Sequence, residues 1–136
     1  MGVFISGTYL GHKKMSLVHE DSQVVLTTAA PKDNNGDGSS FSPTDLLTGS
    51  LGACMMTIIG IVADRDGVDL AGSYFRAEKI MSQSPRRVGE IIIELHLPQH
   101  LTPEHRRKYE QAAQTCPVHH SLHPEITVSL SYHYDR

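Results

Sequence analysis

Three features of the sequence predict an α+β fold. Short β-favouring runs open the chain. One long uncharged stretch, Thr48 to Ala63, has the composition of a core helix, and alternating strand patterns resume beyond it around a polar helix. The order βββ, α, ββ, α, β groups strands instead of alternating them with helices, which separates α+β from α/β architecture. At 136 residues the chain suits one domain over 1–136, large enough to fold around its own core.

The first element is a meander. Val3 to Leu10, Met15 to Val18 and Gln23 to Thr28 read as antiparallel strands, with Gly11-His12-Lys13 turning between the first two. The run Pro31-Lys32-Asp33-Asn34-Asn35-Gly36-Asp37-Gly38-Ser39-Ser40 is too rich in turn formers to bury, and reads as a surface loop or a flap over a site. Ser42-Pro43-Thr44-Asp45 carries the marks of a helix start: Ser42 as N-cap, Pro43 in the first turn, Asp45 placed for a capping-box-like contact. The helix should run to about Arg65, with Gly67 closing it. Its apolar residues go most of the way round, as in a helix surrounded by protein. Gly49, Gly52, Ala53 and Gly60 keep it slim enough for another backbone to approach. Burial on all sides is easier in so small a chain if a second copy packs against it, so a dimer is expected.

Ala71 to Met81 and Val88 to Leu97 then form a hairpin. In its second strand Ile91, Ile93, Leu95 and Leu97 share one face, with Glu90, Glu94 and His96 among the other. Thr102-Pro103 opens a second helix with a strongly polar face, ending near Thr115. A short helix from Pro117 to Leu122 and a last strand from Ile126 to Tyr134 complete the order.

Charge and composition narrow the function. A net charge of −3 with no basic stripe, and the absence of Trp, argue against nucleic-acid binding. The Thr48–Ala63 run is interrupted by Thr, Ser and Gly and is shorter than the ~20 residues a bilayer requires, so no membrane association is expected. Gly2 with Ser6 fits the loose myristoylation pattern, but the same residues read as the start of a strand. A soluble cytoplasmic protein is the expectation.

The chain has two cysteines, 62 residues apart. Cys54 lies within the apolar helix, where a thiol is often inert packing. Cys116 precedes Pro117 at a helix start, where peptide dipoles lower a thiol pKa. Together they fit a redox cycle in which one thiolate attacks a peroxide, the other condenses with the sulfenic acid, and an external dithiol resets the pair. Nine histidines are many for this length. His119, His120 and His123 crowd Cys116 and could bind zinc with it, could steady its thiolate, or could be surface residues. The other six, His96 and His133 among them, carry no assigned role.

The segments Ser42-Pro43-Thr44-Asp45-Leu46-Leu47, Gly52-Ala53-Cys54 and Cys116-Pro117-Val118-His119 together resemble the OsmC/Ohr-like family of osmotically inducible and organic-hydroperoxide-resistance proteins. The likeness covers nearly the whole chain. It implies antiparallel sheets around a long buried central helix, an intertwined homodimer with sites at the subunit interface, and thiol-dependent reduction of organic hydroperoxides. It makes Cys54 the peroxidatic residue and Cys116 the resolving one. Asp45 stands where the family places a carboxylate, usually Glu. The implied partners are a second copy of the chain, an organic hydroperoxide substrate, and a dithiol or lipoyl-bearing protein as reductant; no cofactor and no metal is implied. The chain departs from the family in having no arginine before Arg65, where peroxidase members use one to hold thiolate and carboxylate. Asp45 and Cys54 are nine residues apart, about 13 to 14 Å along a helix, so any approach between them would be across subunits. The rival readings are an OsmC-fold redox sensor or binding protein with little or no turnover, and a metal-binding protein using Cys116 with the adjacent histidines.

Overall fold

The computed structural model describes residues 2–136, in two compact units, 2–46 and 47–136. In the first, β1 (Ile5–Gly11), β2 (Lys14–His19) and β3 (Val24–Ala29) form an antiparallel sheet in the order β1-β2-β3. His12 and Lys13 turn the first hairpin with positive φ. The polar loop that follows is tied down at several points. It holds a short 3-10 turn (Lys32–Asn34), Gly36 and Gly38 donate backbone bonds to Pro31 and Ala30, and Lys14 pairs with Asp37 at 3.2 Å.

Helix α1 (Pro43–Arg65) begins at the end of the first unit and runs through the second. Both ends are set by local chemistry. The Ser42 N–H donates to Asp45 Oδ2 at 2.9 Å and the Asp45 N–H donates to Ser42 Oγ at 3.1 Å, a reciprocal capping box. At the other end Gly67, with φ +68°, supplies the left-handed residue of a Schellman turn, in which Val68 N–H reaches Ala63 O and Gly67 N–H reaches Asp64 O.

The second unit packs α1 on a sheet of β4 (Tyr74–Ser82), β5 (Arg87–His96) and β6 (Thr127–His133), in that order. Ile91, Ile93 and Leu95 of β5, followed by Leu97, present one fully buried face to Leu51, Met55, Ile59 and Ala63 of α1. Each of the Leu, Ile and Met side chains contributes about 1.5–3 kcal/mol on burial. Helix α2 (Pro103–Ala113), capped by Thr102 Oγ1 on His105 N–H, adds Tyr109 and Ala113 to the same core. Helix α3 (Pro117–Ser121) follows.

Two findings refine the sequence reading. Within one chain α1 buries a stripe (Thr48, Leu51, Gly52, Met55, Ile59, Ala63) and not its whole circumference. Leu47 and Ile61 remain exposed on other faces. The helix is 23 residues long and apolar enough to cross a bilayer by length and composition, yet a core helix passes the same test and this one carries a packed core face. The second finding concerns the antiparallel expectation: β4 and β5 are antiparallel, but β6 runs parallel to β5. The α2–α3 crossover returns the chain to the starting end of the sheet, as a parallel connection requires.

Candidate redox site

Cys54 lies midway along α1, one residue before fully buried Met55, and is itself only partly buried against the core. Cys116 lies between α2 and α3 and is fully buried. The packing of α1 against the α2–α3 crossover brings the two thiols within hydrogen-bonding reach of each other, and both are free thiols. Burial, then the hydrogen bond with Cys54, push the Cys116 thiol above its ordinary range. The backbone N–H groups of His119 and Val118 pull the other way without prevailing, and Cys116 makes no side-chain cap bond to α3. A helix of five residues has little dipole to offer, so the expected lowering of this thiol pKa does not win.

The remaining predicted site residues divide. Asp45 is at the α1 N-terminus, engaged in the capping box. The histidines beside Cys116 do not assemble as a ligand set. His119 faces the sulfur through its backbone N–H, its ring Nδ1 is buried without a hydrogen-bond partner, and His123 Nδ1 accepts from the Glu125 N–H at 3.0 Å. Two of the lysines upstream of Arg65 hold the 31–40 loop, Lys13 through Asn35 O at 2.8 Å and Lys14 through Asp37. A separate depression of about 390 Å³, lined by residues including Tyr9, Met15, Ala29, Pro31 and Pro43, lies within the first unit.

A cluster that the sequence did not reveal sits on the outer face of the second sheet: Glu94, His96 and His133, with Asp135. Alternation along β5 placed Glu94 and His96 on one face. The partner His133 depends on the register of β6, which sequence periodicity does not carry.

Comparison with known proteins decides the family. The family model described as OsmC-like protein matches residues 36–131, a span that includes Asp45, Cys54 and Cys116. The chain belongs to the OsmC-like family. No curated protein matches the sequence. Among solved structures, a Psychrobacter arcticus protein, described in connection with osmotic stress induction and a detoxification response, is 40% identical over 98% of each chain with a TM-score of 0.92. An organic hydroperoxide resistance protein OsmC from Legionella pneumophila is 19% identical over 98% of this chain and 97% of that one, TM-score 0.73. A Vibrio cholerae structure, described as an organic hydroperoxide resistance protein with captopril in one active site, is 22% identical over 97% of this chain and 91% of that one, TM-score 0.74. The last two likenesses are of fold.

Proposed function

We propose that this OsmC-like protein is a thiol-dependent reductase of organic hydroperoxides, working through Cys54 and Cys116. The observation that carries the reading is that two sulfurs 62 residues apart in sequence are hydrogen-bonded neighbours. Their environments support a division of labour. Cys54 is partly accessible and can meet a bulky oxidant; Cys116 is fully buried with its pKa raised, which suits a thiol that waits for a sulfenic acid. The Cys54 thiolate attacks one oxygen of ROOH, the O–O bond breaks, Cys54 becomes a sulfenic acid, and the alkoxide takes a proton to leave as ROH. The Cys116 sulfur then attacks the Cys54 sulfur, its proton leaves with the hydroxyl as water, and a disulfide forms. A dithiol, free or lipoyl-borne, reduces that disulfide by exchange and leaves oxidised itself. Met56 and Ile58, half-buried near Cys54 along α1, suit an apolar substrate better than hydrogen peroxide.

Asp45 is assigned the role of orienting a cation near the thiolate, reaching Cys54 of a partner subunit in a homodimer. The cellular site of action is taken to be the cytoplasm. The test measures consumption of an alkyl hydroperoxide with excess dithiol. Cys54→Ser is expected to fall to the protein-free rate, and mass spectrometry after a stoichiometric pulse to find a 54–116 crosslink with loss of two hydrogens. Full activity in Cys54→Ser would overturn the assignment. A second reading, a redox sensor without turnover, is favoured by the lack of any arginine before Arg65 and by the engagement of Lys13 and Lys14 with the 31–40 loop. It predicts the crosslink after one pulse with no sustained peroxide consumption.

A further inference from the structure

The outer face of the second sheet carries a side-chain cluster for which the redox cycle has no use. The strands are in register so that Tyr74, His96 and His133 stand side by side across β4, β5 and β6. Their rings stack, with centroids 4.4 Å apart for Tyr74–His96 and 4.7 Å for His96–His133. Two residues back along β5, on the same face, Glu94 places Oε1 3.1 Å from His96 Nε2. Asp135 holds the other ring nitrogen, with Oδ2 2.9 Å from Nδ1. One donor atom from each of Glu94, His96 and His133 lies within 4.8 Å of the others, the one such grouping among the described residues.

His96 is nearly buried between two carboxylates; as imidazolium it gives one N–H to each, and the ring that binds a metal is the neutral one. Neutral imidazole has one N–H, so it can satisfy one of the two carboxylates and turns a lone pair toward the other. With Asp135 accepting from Nδ1–H, the lone pair of His96 sits on Nε2 and faces the Glu94 side. A cation at that position satisfies both groups at once. A carboxylate that fixes the tautomer of a ligating histidine from behind is the usual outer support of a metal-bound imidazole. We propose that Glu94, His96 and His133 form a binding site for a divalent transition metal of the zinc class, with Asp135 as the positioning residue for His96.

The donor set selects the class of ion. Two imidazole nitrogens and one carboxylate oxygen suit zinc, nickel or copper, whereas calcium and magnesium prefer oxygen throughout. Three protein ligands also leave a coordination position open. Donors at 2.0–2.1 Å around a tetrahedral ion are about 3.3 Å apart, so the set must contract. The groups that must move are the ones able to: Glu94 and His133 are solvent-accessible, and His133 gives up an exposed bond to Ser131 Oγ and part of its stack on His96. His96, held by Asp135 and stacked on Tyr74, stays in place. Glu94 also lines a depression of about 230 Å³ with Arg76 and Glu78, which gives an ion an approach from solvent.

Titration calorimetry of the reduced protein with zinc chloride at neutral pH tests the site. The wild type is expected to take one equivalent per chain at this site. His133→Ala and Glu94→Gln should each weaken that binding at least tenfold, and Asp135→Asn by about 10- to 100-fold, while Cys54→Ser leaves it unchanged. His133 lies outside the core on the last strand, so its replacement should preserve the far-ultraviolet circular dichroism. Zinc should raise the melting temperature of the wild type and not that of His133→Ala. The proposal is overturned if the wild type takes up no zinc. It is equally overturned if His133→Ala and Glu94→Gln bind as the wild type does, since the ion would then sit elsewhere, such as on the thiols.

Discussion

At Gly52 there is no room for a side chain: a Cβ built there would overlap the Phe75 ring. The sequence suggested that the small residues of α1 admit another backbone, and what fills this notch is an aromatic ring from β4. Gly49 and Gly60 have no neighbour within 4 Å of such a Cβ, so composition alone could not tell the tight position from the open ones. Gly52→Ala should therefore cost about 1–3 kcal/mol, as overpacking does, against a gain in helix propensity below about 1 kcal/mol. Urea denaturation of the variant beside Gly60→Ala checks it, the latter expected to be neutral or stabilising. The candidate redox pair was equally a matter of residue type. Two cysteines in a short chain can be found by eye, but that they touch, and that the inner one has its pKa raised, follows from tertiary packing that no local pattern encodes.

Helix α1 shows what local sequence does encode. Its capping box and its Schellman glycine satisfy the orphan backbone groups of each end with residues no more than five positions away, so both boundaries could be read directly. The tie between α1 and α2 was invisible at that range. Just beyond α1, Asp66 accepts from Lys108 Nζ at 2.8 Å and from the Tyr109 hydroxyl at 3.0 Å, 42 and 43 residues away. The Lys108 bond, aided by the Tyr109 hydroxyl, holds the Asp66 carboxyl below its ordinary 3.8, while burial, then Asp66, push Tyr109 up to about 12. Because the folded pKa of Asp66 is depressed, its contribution is fully present above the ordinary carboxylate value and is lost as pH falls through the folded one. Melting temperatures recorded from neutral pH down into that acid range should fall less steeply for Asp66→Asn than for wild type, with the variant already weaker at pH 7. Parallel curves for the two proteins would contradict the role given to this carboxylate. Strand direction was out of reach for a similar reason. Alternation in β6 shows which residues share a face, but parallel pairing with β5 is decided by the crossover, and the meeting of His96 with His133 is decided by register.

As a whole, the chain leaves much apolar surface uncovered. In the first unit Val3, Phe4, Ile5, Tyr9, Leu10, Val24, Val25 and Leu26 are each about half exposed or more, and Phe4 reaches 72%. Monomeric soluble proteins rarely present a contiguous apolar area beyond a few hundred Å². A self-associated particle is the expected remedy, and light scattering coupled to size exclusion should report twice the 15.0 kDa chain mass. A particle of one chain mass at micromolar concentration would remove the homodimer from the proposed function. The adjacency of Cys54 and Cys116 has a mechanical meaning as well. Bonding the two would close a covalent ring around β4, β5 and α2, the greater part of the second unit. Restricting the unfolded chain in that way is worth about 4 kcal/mol in the chain-entropy account of a loop this long. Oxidation would then do more than record an encounter with peroxide: it would brace the spent molecule against heat and proteolysis until a reductant reopens the clasp.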